Sequence, residues 1–173
     1  LAEVAPGEDL DWVVSLDADG PELYRSLRGE GQQEALRAIE LLAARFPSQV
    51  HVQAVRMQEN EERLEDFYHA WKARTGRVII QKYDHFCGLL PDRRVADLSP
   101  LKRFPCWHLK RDLAVLLDGS VPLCREDVGR NRPLGNLFEE DLATVWERGQ
   151  QPYQEHLRGD YQGLCAGCDE YYT

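Results

Sequence analysis

The 173-residue chain carries 30 acidic and 21 basic residues, a net charge of −9, which argues against nucleic acid as its main partner because phosphate binding needs clustered cations. No run approaches the roughly 18 apolar residues that span a bilayer, and no apolar leader precedes the first elements, so the expectation is a soluble, cytoplasmic protein without a membrane partner. The length suits one domain of ordinary size, or one small domain plus part of another.

The chain begins at Leu1, without a methionine, and a piece of a longer protein is expected. Trp12 to Leu16 is a short apolar run that suits a strand buried on both faces, stopped by the turn-forming cluster Asp17 to Pro21. A short helix over Glu22 to Leu27 follows. From Gln32, the apolar positions Leu36, Ile39, Ala43 and Phe46 recur at three and four residues and paint one helical face, which Pro47 closes. Val50 to Val55 is the next strand. Asn60 is placed to cap a helix with the apolar face Leu64, Phe67, Tyr68 and Trp71, ending at Gly76. A third strand runs from Val78 to Tyr83. Apolar strands alternating with amphipathic helices predict an α/β unit with parallel pairing and right-handed crossovers. Three strands would leave an apolar edge open, so further strands upstream are expected.

Beyond Tyr83 the texture changes. Asp84 to Pro105 holds Gly88, Pro91, Pro100 and Pro105 without a clear period and reads as a linker between domains. The bases Arg93, Arg94, Lys102, Arg103, Lys110 and Arg111 crowd the stretch up to Arg111, with a solvated loop as the simplest account. Leu113 to Leu117 and Val121 to Leu123 read as a hairpin around Asp118-Gly119, a pair that allows the positive φ of a tight turn. Arg130 to Leu137 reads as a turn. Asp141 is a cap for a short helix carrying Leu142, Val145 and Trp146 and ending at Gly149, with a second helical stretch over Pro152 to Arg158.

Four of the five cysteines form two groups. Twelve residues separate Cys106 from Gly119 and four separate Gly119 from Cys124, while Cys165 and Cys168 stand in a bare CAGC. Folding back the hairpin brings Cys106 near Cys124, and four grouped thiolates in a reduced protein read as one metal centre. A disulfide framework is the weaker reading, since no signal segment is present and a chain of this length can bury a core without staples. Four-cysteine sites suit both zinc and iron–sulfur clusters, so ligand identity leaves the metal open. Cys87 has no partner in this arithmetic and reads as a small apolar packing residue, with a spare ligand as the alternative. His108 lies two residues from Cys106, close enough to compete as a ligand, but reads first as packing or hydrogen-bonding, while Trp107 and Trp146 shield the centre. The stretch from about Leu101 has little apolar mass, so a metal is expected to hold it together.

The order Cys106, Asp118-Gly119, Cys124, Leu134-Gly135-Asn136-Leu137, Trp146, then Cys165-x-x-Cys168 resembles the SPASM domain, the cysteine-rich C-terminal extension of many radical S-adenosylmethionine enzymes. Ser15-Leu16-Asp17, Arg28-Gly29-x-Gly31, Val55 followed by Asn60, and Ile80-Gln81 resemble the fourth to sixth strands of the barrel in those enzymes. The resemblance extends to the spirochaete-associated SPASM subgroup. It implies the second half of a radical S-adenosylmethionine (β/α) barrel over residues 1–100 and a small α+β SPASM domain with a β-hairpin over 101–173. It also implies one auxiliary [4Fe-4S] cluster on Cys106, Cys124, Cys165 and Cys168. Ser15 and Arg28 map to the positions that approach the methionine end of S-adenosylmethionine, where an arginine can meet a carboxylate with two parallel hydrogen bonds. A peptide or protein substrate and an electron donor such as flavodoxin or ferredoxin follow by family analogy. Zinc in a binding module without redox chemistry remains the rival.

Departures from the family pattern matter as much. The CxxxCxxC motif of the radical-generating cluster and the Gly-Gly-Glu motif that binds the cofactor's amino group do not occur in these 173 residues. Nor does a further cysteine follow Cys168, so a single auxiliary cluster is the most these thiols support. Sulfatase-maturing relatives place an acid directly after the cysteine matching Cys124. Here Arg125 stands there, followed by Glu126 and Asp127, which leaves a catalytic base unassigned.

Overall fold

The computed structural model describes residues 10–99 and 101–170. The chain divides into two compact units, one running through Tyr83 and including Arg93–Val95, the other formed by Asp84–Asp92 and everything from Ala96 onward. Among the described residues, no helix is long and apolar enough to cross a membrane.

In the first unit, β1 (Trp12–Ser15), β2 (Val50–Arg56) and β3 (Val78–Lys82) form a parallel sheet in the order β1-β2-β3. Helices α1 (Pro21–Arg28), α2 (Gln32–Arg45) and α3 (Leu64–Thr75) supply the crossovers. Val52 and Ala54 of β2 pack with Ile39 of α2 and with Leu64, Phe67 and Trp71 of α3 in one buried core. The period-two alternation of a strand sends the intervening residues to the opposite side. Val13 is 50% exposed there, so β1 is covered on one face and not on both as the apolar run suggested. The registers place Ser15 beside Gln53 on that face, and Val55 beside Gln81, with the Gln53 Nε2 donating to Gln81 Oε1 at 2.7 Å.

Asn60 departs from its expected role. A 3-10 turn, Glu61–Arg63, precedes α3, and the Asn60 side chain does not cap it. Instead Oδ1 accepts from the Met57 N–H at 2.9 Å while Nδ2 donates to the Asp17 carbonyl at 3.0 Å and the Val55 carbonyl at 2.9 Å. The side chain thus ties the end of β1 to the turn after β2, and its amide finds more partners in the interior than a helix end offers. Removing it orphans buried backbone groups at about 1–3 kcal/mol each. Asn60→Ala is therefore expected to destabilise the first unit by roughly 3 kcal/mol, read by urea unfolding, and an effect within ~0.5 kcal/mol would contradict this role.

The second unit is sparse in regular structure. It contains a 3-10 turn (Phe86–Gly88), α4 (His108–Arg111), β4 (Ser120–Val121), β5 (Gly135–Asn136), α5 (Leu142–Leu157) and a 3-10 turn (Gly163–Gly167). The tight turn forms as expected, with φ of +78° at Gly119 and the Leu116 N–H donating to the Ser120 carbonyl at 2.9 Å. Its strand partner differs. β4 pairs antiparallel with β5, the segment expected to be only a turn, and no strand forms over residues 113–117. The Leu134 N–H donates to the Val121 carbonyl and the Leu137 N–H to the Gly119 carbonyl, so this pairing buries Val121 and Leu134 together. The two expected helical stretches are one helix, α5, capped by Asp141 Oδ1 accepting from the Thr144 N–H at 3.0 Å. Pro152 sits inside it and costs one backbone bond. Both Gly149 and Pro152 are buried, and the Leu134 side chain closes on Gly149, so packing outweighs the break that their sequence suggests.

Candidate metal centre

Cys106, Cys124, Cys165 and Cys168 line one cavity in the second unit, together with His108 and His156. The two cysteine groups, 41 residues apart between Cys124 and Cys165, are therefore brought together by the fold. Each is held by a separate device. Cys106 precedes α4, and its N–H donates to His156 Nδ1 at 3.3 Å, which fixes the proton of that buried neutral ring on Nε2. Cys124 ends the stretch after β4, where its carbonyl accepts from the Asp127 N–H at 3.1 Å. The fully buried Asp127 carboxylate accepts from the Asn131 N–H at 2.8 Å, from Asn131 Nδ2 at 3.0 Å and from the Arg132 N–H at 3.0 Å, closing that loop. Arg132 in turn pairs with Glu155 of α5 at 3.0 Å.

The CAGC turn is clamped from outside. The Arg103 guanidinium donates to the carbonyls of Cys165 and, at 3.1 Å, Ala166, and lies 4.2 Å from the Tyr161 ring centroid. Bases that composition alone read as a solvated loop are here partly structural: Arg111 lies 4.7 Å from the Trp107 ring and Arg93 pairs with Glu59 in the first unit. His108 stacks on Trp107 at 4.1 Å and bonds through Nδ1 to Asp112, the packing role its sequence position suggested.

Beside the four thiols, the cavity is lined by His108 and His156, by the charged Arg103, Arg125, Glu126 and Glu170, and by Leu109 and Leu164, and Leu109, Val121, Leu123, Leu134 and Val145 form the core behind it. Among the described residues, no three His, Cys, Asp or Glu side chains converge closely enough to hold a single ion. Four thiols lining one cavity suit a four-thiolate centre, whether of zinc or of an iron–sulfur cluster.

Burial controls the protonation of these thiols. It pushes Cys124 up to about 12 and Cys165 up to about 11, and raises Cys106 as well. Cys168 goes the other way, lowered to about 7 by a hydrogen bond from Cys87. Ligation requires thiolates, so loading must displace protons from the three raised thiols. Loading is accordingly expected to release protons and to tighten as pH rises from 7 to 9, because protons compete less. Metal titrations in buffers of different ionisation enthalpy check this, and an affinity independent of pH would contradict it.

Cys87 is the residue that sequence reasoning set aside. Its thiol is pushed upward, chiefly by a hydrogen bond with Cys168 and by burial. Nothing in the CxxC spacing pointed to it. Glu126 is buried beside these thiols, pushed up to about 8 by burial and by the adjacent Asp84 carboxylate, while Arg125 bridges Glu126 at 2.8 Å and Glu170 at 3.4 Å. In the first unit, Arg28 donates from Nη1 to the buried Asp17 carboxylate at 2.8 Å, and Ser15 lies on the helix-free sheet face.

Residues 106–169 match the family model of SPASM, described as an iron-sulfur cluster-binding domain. A protein of Treponema pallidum (strain Nichols), described as uncharacterized, is 52% identical over 172 residues, an alignment covering 95% of this chain and 48% of that protein. The chain thus spans about half the length of the relative it matches. No solved structure matches. The matched segment begins at Cys106 and contains all four cavity-lining cysteines. The second unit thus carries a segment that matches an iron-sulfur cluster-binding domain, with its four cysteines on one cavity.

Proposed function

Taking the SPASM domain as the premise, we propose that the chain is the C-terminal part of a radical S-adenosylmethionine enzyme that modifies a peptide or protein, with one auxiliary [4Fe-4S] cluster on Cys106, Cys124, Cys165 and Cys168. The observation that carries this reading is the meeting of those four thiols, all within the matched segment, on one cavity. The three-stranded parallel sheet supports the barrel half, because its Ser15–Gln53 and Val55–Gln81 rows stand on a face without helices, as residues lining a barrel interior would. A relative in Treponema pallidum, a spirochaete, is in keeping with the proposed subgroup.

A bound auxiliary cluster supplies an electron acceptor or a substrate-anchoring iron. The chain's own residues do the rest. Arg103 holds the CAGC carbonyls, His156 fixes the Cys106 backbone, Asp127 closes the Cys124 loop, and Leu109 and Leu164 limit water at the thiolates. Ser15 and Arg28 are the proposed contacts to the methionine end of S-adenosylmethionine, with Asp17 holding the arginine in place. Flavodoxin or ferredoxin is the proposed electron donor.

The test is product analysis. A protein that includes the upstream half, reduced in the presence of S-adenosylmethionine, is expected to release 5'-deoxyadenosine, whereas these 173 residues alone, lacking CxxxCxxC, are expected to release none. Absence of release from the longer protein would contradict the radical reading. Release from the 173-residue chain would contradict the assignment of its cysteines.

A further inference from the structure

Arg103 stands three residues before Cys106 in the chain, yet its side chain reaches the other cysteine group. The guanidinium donates to the Cys165 carbonyl and, from Nη1, to the Ala166 carbonyl at 3.1 Å, so its planar fork spans two successive peptides of the CAGC turn. Its Cζ lies 4.2 Å from the centroid of the Tyr161 ring. The centroid of that ring stands 4.6 Å from that of His156, whose Nδ1 accepts from the Cys106 N–H at 3.3 Å. Arg103, Tyr161 and His156 therefore join the backbones that carry Cys106 and Cys165, the first cysteine of each group.

A clamp of this kind does not by itself require an arginine. Two carbonyls can be held by any pair of amide donors, whereas a guanidinium stays charged at every pH at which a protein is folded. Here two hydrogen bonds and a ring face fix that charge in position, half-buried and on the same cavity as the four thiols. The carboxylates on this cavity, Glu126 and Glu170, are both bridged by Arg125, at 2.8 and 3.4 Å. Leu109 and Leu164 line it as well, and where water is scarcer a fixed charge acts on a neighbouring ion more strongly than it does at the surface.

Resting on the cluster reading above, we propose that the Arg103 guanidinium, besides holding the CAGC turn, is the fixed positive charge that raises the reduction potential of the cluster. Four thiolates make a [4Fe-4S] centre anionic, and its reduction adds one electron, and so one more negative charge, with no bond made or broken. A cation held at the wall of the site stabilises the reduced state more than the oxidised one. Arg103 thus has two separable roles: its fork positions the ligand turn, and its charge sets how readily the cluster accepts an electron.

The experiment compares wild type with Arg103→Lys, Arg103→Gln and Arg103→Met in the anaerobically reconstituted 173-residue chain. Iron and sulfide analysis reads the loading, and a dithionite titration followed by electron paramagnetic resonance reads the potential. All four proteins are expected to retain the cluster. The midpoint potential is expected to fall in Arg103→Gln by about tenfold in the one-electron equilibrium, about 59 mV, although its amide still donates to a carbonyl. Arg103→Lys keeps a cation and is expected to stay within about twofold of wild type. Arg103→Met keeps an apolar stem against Tyr161 without the charge and is expected to fall as far as Arg103→Gln, so it repeats the comparison should glutamine disturb folding. A potential unmoved in both neutral variants, or one that falls as far in Arg103→Lys as in them, overturns the proposal. Loss of iron in both neutral variants overturns it as well, because Arg103 would then be a clamp alone. A wild-type protein that binds no iron would instead overturn the cluster reading itself.

Discussion

Removing the metal is expected to unfold the second unit while the first stays folded. The core behind the site consists of Leu109, Val121, Leu123, Leu134, Val145 and Cys165, and one of those six is itself a proposed ligand. Its strands are two residues long and α4 has four residues, so apart from the one long helix α5 backbone hydrogen bonding contributes little. So small a core supplies only a few kcal/mol before chain entropy is counted, whereas a structural four-thiolate centre contributes on the order of 10 kcal/mol to folding. The first unit has no such dependence, because its sheet is buried against three helices through Val52, Ala54, Phe67 and Trp71. Hydrogen exchange before and after anaerobic chelation is the measurement. Amides of 106–169 are expected to lose protection by several orders of magnitude, while those of β2 keep theirs. Unchanged protection around Val121 and Val145 would show that the centre is incidental to the fold.

The second large effect concerns ligation. Single Cys→Ser changes at Cys106, Cys124, Cys165 and Cys168 are each expected to lower bound iron severalfold or more, because a serine hydroxyl at neutral pH does not replace a thiolate. Cys124→Ser and Cys106→Ser should be as damaging as changes in the CAGC turn, since all four line the same cavity. Iron content per chain after anaerobic reconstitution reads this. Full occupancy in any one of the four would remove that residue from the ligand set.

Much of this was legible along the chain. The three strands and three helices of the first unit announced themselves through apolar periodicity, because each element buries one face against its neighbours in sequence. The four-cysteine grouping was legible because ligand spacing is local within each pair. What stayed hidden depends on partners far apart. Asn60 looked like a cap because asparagine before a helical pattern usually is one, but its amide meets carbonyls at Asp17 and Val55, and the former is 43 residues away. Residues 135–136 looked like a turn because a two-residue strand carries no period, and only its pairing with Ser120 and Val121 defines it. Pro152 and Gly149 are ordinary stop signals, overridden by burial within α5. The left-handed turn at Phe86 and Cys87 was hidden too, because it shows no glycine at the strained positions.

The central claim is that the cavity of the second unit binds an iron–sulfur cluster through Cys106, Cys124, Cys165 and Cys168. Mössbauer spectroscopy of the 173-residue chain, purified anaerobically after growth with iron-57 and paired with zinc and acid-labile sulfide analysis, tests it most directly. The account predicts about four irons and four sulfides per chain, a cubane signature, and no stoichiometric zinc. A colourless chain holding one zinc, with no sulfide, would contradict it.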